Sequence, residues 1–597
     1  MSRNFTGRFD PCYPDAPFAL LDEAGFSFSG WCGNRFVGVG GHLAGDPGVG
    51  LSDDQRAASL LSRYDACGDD FAVDWGGSFN LVLWDGDQRR LLLYQDPLPG
   101  ATFMYVAEHE GALYFGNGLR SLAGRVFDGR PRVDRQAIYQ FLCRSYLAPP
   151  ATGFEGVSQL GPGEMVVAEG GRWQHRQTGC WAIPAEKLGD QEACLQEYRR
   201  LLRTSIERHA TDPDDTVFLL SGGYDSSVNV AVARDLEIMP LRTVGIGSER
   251  FSTDAGYARR VAEICGSEHH EYLFDGWEIE RLPWLVWNLE SPYFEPGMML
   301  TYYALTIARK HGRTIVGGEG TDQLFANAQR RVRPRHRATT DTPAYRTRRR
   351  LVDGALRLPG IRGSRRAHCL GDRLFRGLDV NGWSGAYGFR ACDLAGWLRP
   401  GWHGQDRYDD LAIPDHDLAA LLDHACVPVS RDYLLSGILA IYGKLQPQLD
   451  VRPISPYLDV DVRRFILSLD PSLRTPAMPG GGFDDKRLHK DLAHQLLPAD
   501  LFDRPKQGGA ISAWSHLEDD QFRAGIMRHL RESEFLSTML KPGIFDRLEA
   551  DPRRGAVHTL MLLSLDLWHQ LVVERRDDEP PEETLSDMLG MFWREND

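Results

Sequence analysis

Seven residues, SGGYDSS at 221–227, combine the side chains that chemistry on phosphate requires. Four apolar residues (217–220) run into them and an apolar pattern resumes at Val228, so they read as a turn between a strand and a helix. Such a turn offers unpaired backbone N–H groups and the positive end of a helix dipole, an anion site suited to phosphate. Gly222 and Gly223 let the backbone come close, Ser221, Ser226 and Ser227 add hydroxyl donors, and Asp225 can hold a hard cation beside the phosphates. The chain has no P-loop: GILAIYGKL at 437–445 has one residue too many between its glycines, and Leu follows Lys444. Asp322, in GGEGTDQ at 317–323, follows a second apolar run, which places it with Asp225 at the carboxyl edge of a sheet.

The elements that must position these residues are strands over 217–220, 242–246, 271–274 and 314–316 with helices between them, the pattern of a parallel, doubly wound sheet. Helical segments dominate from about residue 430. The first 180 residues read instead as short strands, FNLVLWD (79–85), LLLYQD (91–96) and ALYFGN (112–117) among them, separated by Gly, Asp and Pro turns. At 597 residues the chain exceeds one ordinary core, so two domains are expected. A net charge of −15 argues against a nucleic-acid partner. Ten cysteines without a CxxC pair suggest reduced thiols in a cytoplasmic protein, and no apolar run reaches the length of a membrane span. Segment 330–366 holds thirteen arginines against two acids; it reads as a solvated loop or as a docking surface for an acidic partner.

SGGYDSS resembles the pyrophosphate loop of the ATP pyrophosphatases, which cleave ATP to AMP and pyrophosphate. TVGIG (243–247), the segment 251–274, TIVGGEGTDQLF (314–325), LDVRPISPYLD (449–459), KRLHKDLAHQLLP (486–498) and RPKQGGAISAW (504–514) resemble, in order, the synthetase domain of asparagine synthetase. The resemblance implies an adenine nucleotide alpha hydrolase-like fold over 190–597, with the Arg-rich 330–366 as an insertion. It implies ATP held by Leu220, Val244 and Gly318 together with the 221–227 loop, and Mg²⁺ held by Asp225 and Asp322. Lys506 and Lys486 would neutralise charge that develops on the phosphates. Glu319 would act as general base or touch substrate.

Residues 76–124 resemble the glutaminase domain of that family, implying an Ntn-hydrolase-like αββα sandwich over 1–185. Working members attack glutamine with an N-terminal cysteine; this chain has Ser2 after Met1, and VGVGGHLAG (37–45) stands where an Asn-Gly-Glu motif would hold glutamine. The domain is therefore expected to be inactive, and the amine must come from elsewhere. β-Lactam synthetases and lasso peptide macrolactam synthetases share that loss. Chain length, the basic insertion and Gln323 in place of the family's Glu favour the second. A lasso precursor peptide is then the expected substrate, with a leader-binding protein and a leader peptidase as partners. An ammonia-dependent asparagine synthetase, a β-lactam-forming enzyme and a catalytically silent scaffold remain open.

Overall fold

A computed structural model describes residues 4–591, apart from 14–16, 44–50, 73–74, 99–101, 179–180, 182, 248–253, 275, most of 326–386, 405–430, 477–483, 503–512 and 576–578. Ser2, Lys506 and most of the Arg-rich 330–366 lie outside the described residues.

The N-terminal part stacks two antiparallel sheets. One has six strands (Phe28–Cys32, Arg35–Leu43, Gly77–Asp85, Arg90–Gln95, Glu164–Glu169, Arg172–Gln177) and the other five (Thr6–Phe9, Phe18–Asp22, Tyr105–His109, Ala112–Gly116, Val157–Gln159). Alternation along Gly77–Asp85 decides the layering, because successive side chains leave a strand on opposite faces. Phe79, Leu81 and Leu83 pack under helix Asp53–Cys67, which is closed at its start by a Ser52–Gln55 capping box. Val82 and Trp84 instead meet Val106, Leu113 and Phe115 of the second sheet. The outer face of that sheet, through Tyr105 and Ala107, packs on helices Leu119–Val126 and Arg135–Arg144. The order is helix, sheet, sheet, helix: an αββα sandwich. The same apolar cluster continues into the second part, so one core joins the two.

The second part is built on five parallel strands: β1 (Thr216–Leu219), β2 (Arg242–Gly247), β3 (Glu268–Leu273), β4 (Thr314–Val316) and β5 (Arg452–Ile454). Their order is β3-β2-β1-β4-β5. Val217, Phe218, Ile315 and Val316 are all buried, as central parallel strands covered on both faces require. Strand β3 begins three residues earlier than the sequence pattern indicates. Strand β5 carries no sequence signal because Pro453 sits within it; an edge strand tolerates a proline that a central one would not. Four helices matter below: α1 (Tyr224–Asp235), α2 (Thr321–Leu324), α3 (Leu439–Leu449) and α4 (Arg487–Leu496). Among the described residues one helix, Pro552–Glu574, is long and apolar enough to cross a membrane; it is mostly buried, with Leu562, Leu563 and Trp568 in the core.

Candidate active site

The strand order reverses between β1 and β4, and at such a switch point the loops leaving the two strands diverge and open a crevice. Both acidic motifs lie there. Strand β1 leads through 220–223 into α1, and β4 leads through 317–320 into α2. Gly222 has φ +74°, and a Cβ on it would come within 2.7 Å of the Ala258 nitrogen, so the turn demands glycine twice over. A Cβ on Gly318 would stand 3.0 Å from Asp225 Cβ and 3.1 Å from Ser226 N. The two loops therefore touch through a residue without a side chain.

Asp225 occupies the first turn of α1, where the helix dipole favours a carboxylate. Lys486 Nζ donates to it at 2.8 and 2.9 Å and lies 2.7 Å from Asp322 Oδ1. His489 Nε2 is 3.0 Å from Asp225, and the Tyr457 hydroxyl donates to the Asp225 carbonyl at 2.7 Å. Burial by itself would push the Asp225 carboxyl up, but Lys486 and then His489 hold it well below the usual carboxylate range. Burial likewise opposes charge on Lys486, and the two aspartates hold its ammonium above the ordinary lysine range. Burial keeps His489 below the ordinary histidine range, hence neutral near pH 7. Lys486 reaches this place from a left-handed backbone (φ 54°) at the start of α4, a conformation that costs a bulky residue about 1–2 kcal/mol and persists where surrounding contacts fix it.

Glu319 lies between the two motifs. Tyr442 of α3 donates to its Oε1 at 2.5 Å, and Ser455 Oγ donates to its carbonyl at 2.5 Å. Burial raises the Glu319 carboxyl, and the Tyr442 hydrogen bond pulls the other way. A cavity opens over these groups, walled by Asp225, Gly318, Glu319 and Asp322 on one side and by Glu295, Tyr293, Tyr433, Ile438 and Ile441 on the other.

The remaining residues expected at the nucleotide distribute unevenly. Ser221 is exposed at the loop tip, while the Ser226 hydroxyl closes the loop on itself, accepting from Ser221 N at 3.1 Å. Ser227 does not face the crevice: it is fully buried on the inner side of α1, because a position six residues into a strand-to-helix turn has rotated onto the sheet. Leu220 and Val244 are buried side chains joined by a backbone hydrogen bond, Leu220 N to Val244 O at 2.8 Å, so they can offer only main chain to a ligand. His269 and His270, a pair whose types suggest a metal, belong to β3; His269 lies 2.9 Å from Thr243 and His270 stacks on His311.

The arrangement suits a phosphorylated nucleotide: loop N–H groups and a helix N-terminus for phosphate, a buried ammonium, and two aspartates. The donor set fits Mg²⁺, which takes one or two protein carboxylates and completes its shell with phosphate oxygens and water. Among the described residues no cluster of three or more metal-ligating side chains assembles, so an all-protein cage is not what this site offers. Sequence reasoning did not single out His489, Tyr457, Tyr442 or Glu295. His489 had a signal, since it lies three residues after Lys486 on one helix face; Tyr442 and Glu295 come from remote segments that only folding brings in.

Comparison with known proteins finds relatives for both parts of the chain. A family model described as asparagine synthase matches residues 197–570, and one described as a glutamine amidotransferase domain matches 51–178. A Mycobacterium bovis protein provisionally named asparagine synthetase (glutamine-hydrolysing) is 24% identical over 571 residues, covering 88% of this chain and 81% of its own. Asparagine synthetase (glutamine-hydrolysing) 1 of Bacillus subtilis is 24% identical over 280 residues, 47% of this chain and 44% of its own. The asparagine synthetase of Mus musculus is 33% identical over 145 residues, 23% and 26% of the two chains.

Proposed function

Since the chain belongs to the asparagine synthase family, whose members are ATP-dependent, AMP-forming amide ligases, we propose that it is a lasso peptide macrolactam synthetase. In this reading it adenylates an Asp or Glu side chain of a precursor peptide and closes it onto that peptide's own N-terminal amine. The observation that carries the reading is the acceptor wall of the cavity. Ile438, Ile441, Tyr293 and Tyr433 give that wall an apolar side, a surface suited to a bulky substrate rather than to ammonia. Gln323, beside Asp322, lines it too.

The chain's residues divide the work. Main chain of 220–223, Val244 and Gly318 holds the nucleotide. Lys486 neutralises charge as the substrate carboxylate attacks the α-phosphorus and pyrophosphate leaves; Lys506 would share that task. Mg²⁺, held by Asp225 and Asp322, would supply further charge neutralisation on the phosphates. The amine nitrogen then attacks the acyl carbon, AMP departs, and Glu319, aligned by Tyr442, accepts the amine proton. A leader-binding protein and a leader peptidase would deliver the peptide with its amine free.

A second reading, asparagine formation from aspartate and ammonia, is favoured by the names of the relatives. One experiment separates the two. The protein is incubated with ATP, Mg²⁺ and a core peptide bearing a free N-terminus and an acidic residue several positions in. Release of AMP with loss of one water from the peptide is the expected result. Consumption of aspartate and ammonia, with the peptide untouched, would replace it by the second reading.

A further inference from the structure

Four carboxylates line the cavity, and three have their charge or proton accounted for by the protein. Asp225 and Asp322 share Lys486, and Glu319 takes the Tyr442 hydroxyl. Glu295, on the facing wall, has no cation within ion-pair distance among the described residues. Among the described residues its side chain takes one hydrogen bond, from Gly297 N to Oε2 at 2.7 Å. That turn is tight: a Cβ on Gly297 would stand 2.9 Å from Oε2, so the backbone fixes a carboxylate that lines the cavity. The neighbouring hydroxyl of Tyr293 is already committed to the Gly437 carbonyl at 2.7 Å. Burial without a counter-charge pushes the Glu295 carboxyl up to about 7. A half-buried acid held rigidly and left without a partner is costly unless something that enters the cavity supplies the positive charge.

We infer that Glu295 is a positioning residue that binds the ammonium of a substrate α-amino group and so orients the substrate beneath Glu319. The inference rests on the amide-ligase reading of the cavity and adds a chemical class to it. Two sources carry that group, the N-terminus of a peptide and the α-amino group of free aspartate. Glu295 holds the ammonium form; delivery of the neutral amine to the acyl carbon falls to Glu319.

ATP–pyrophosphate exchange tests this, because it reads carboxylate activation without needing amide formation. Exchange is measured for wild type and Glu295→Gln with the core peptide and its Nα-acetylated form, and in parallel with aspartate and N-acetylaspartate. Gln keeps an acceptor for Gly297 N and the side-chain volume. Acetylation is expected to raise the wild-type KM of the true substrate about 10- to 100-fold, the worth of a hydrogen bond to a charged group, with the KM for ATP unchanged. Glu295→Gln should raise the KM for the free-amine substrate by a similar factor, and acetylation should then cost the variant almost nothing. Which pair responds identifies the source of the ammonium. If the two penalties multiply, or the variant's defect falls on ATP, Glu295 does not hold the amine, although the ligase reading stands. No exchange by the wild type with either substrate would overturn both.

Discussion

The ammonium of Lys486 lies 2.8 Å from a carboxylate oxygen of Asp225 although 261 positions separate the two residues in the chain. Asp322 completes the bridge at 2.7 Å. Lys486 is almost fully buried while both aspartates keep a partly open face, so the lysine forms the floor of the site and the carboxylates its rim.

Removing the floor is the most direct test. Lys486→Met should abolish AMP formation and lower stability. Breaking a buried pair from one side costs about 3–5 kcal/mol, and the open faces of the aspartates put this case near the low end. Thermal melting and pyrophosphate release check the two effects separately. Asp225→Ala should also end AMP formation; full activity in that variant would remove Asp225 from the nucleotide site.

Tyr442→Phe deletes the hydroxyl that donates to Glu319. The hydrogen bond favours the charged carboxylate, so its loss raises the Glu319 pKa and moves the acid limb of the pH–rate profile for amide formation to higher pH. Pyrophosphate exchange should be unaffected, since activation of the carboxylate precedes the proton transfer. Glu319→Gln should cost about 10²–10⁴-fold in amide formation.

The two parts of the chain are pinned by a buried pair. Lys444 of α3 lies 2.6 Å from Glu290, whose carboxylate also accepts from the N–H of Leu119 at the start of an N-terminal helix and feels the Arg120 charge. Lys444→Met leaves the buried Glu290 charge with Arg120 as its nearby cation and should destabilise by about 3 kcal/mol, the low end for breaking a buried pair; adding Glu290→Gln should restore much of the loss. Denaturant melts of the two single variants and the double variant measure the coupling; simple additivity would mean the pair does not act as a unit.

Asp96 gives a pH signature independent of catalysis. Its carboxyl is buried, accepts N–H bonds from Phe79 and Leu98, and burial pushes it up to about 8. The folded state therefore keeps a proton that the unfolded chain releases near pH 4. Stability should fall as pH rises from about 4 to about 8, by up to about 1.4 kcal/mol per pH unit, and level off above. Asp96→Asn should flatten that slope while lowering the acid plateau, because an amide replaces one of two acceptor oxygens. Urea melts across the pH range decide it.

Sequence and tertiary structure contributed different parts of this protein. Local order carried the SGGYDSS turn, the parallel strands and the two acidic motifs, because a strand, a glycine turn and a helix start are made by neighbours along the chain. Periodicity also separated the β-rich first part from the wound second part. It missed β5, whose proline is acceptable only at a sheet edge, and it assigned to phosphate the Ser227 hydroxyl that helix rotation turns into the core. The site itself was a tertiary decision. Lys486 enters from a left-handed turn, His489 follows on the same helix, Tyr442 arrives on α3, and Glu295 precedes another helix altogether. No local pattern encodes which charge will face which across the crevice. That pairing is set by strand order and by the packing that buries an ammonium between two carboxylates and, among the described residues, leaves a fourth acid without one.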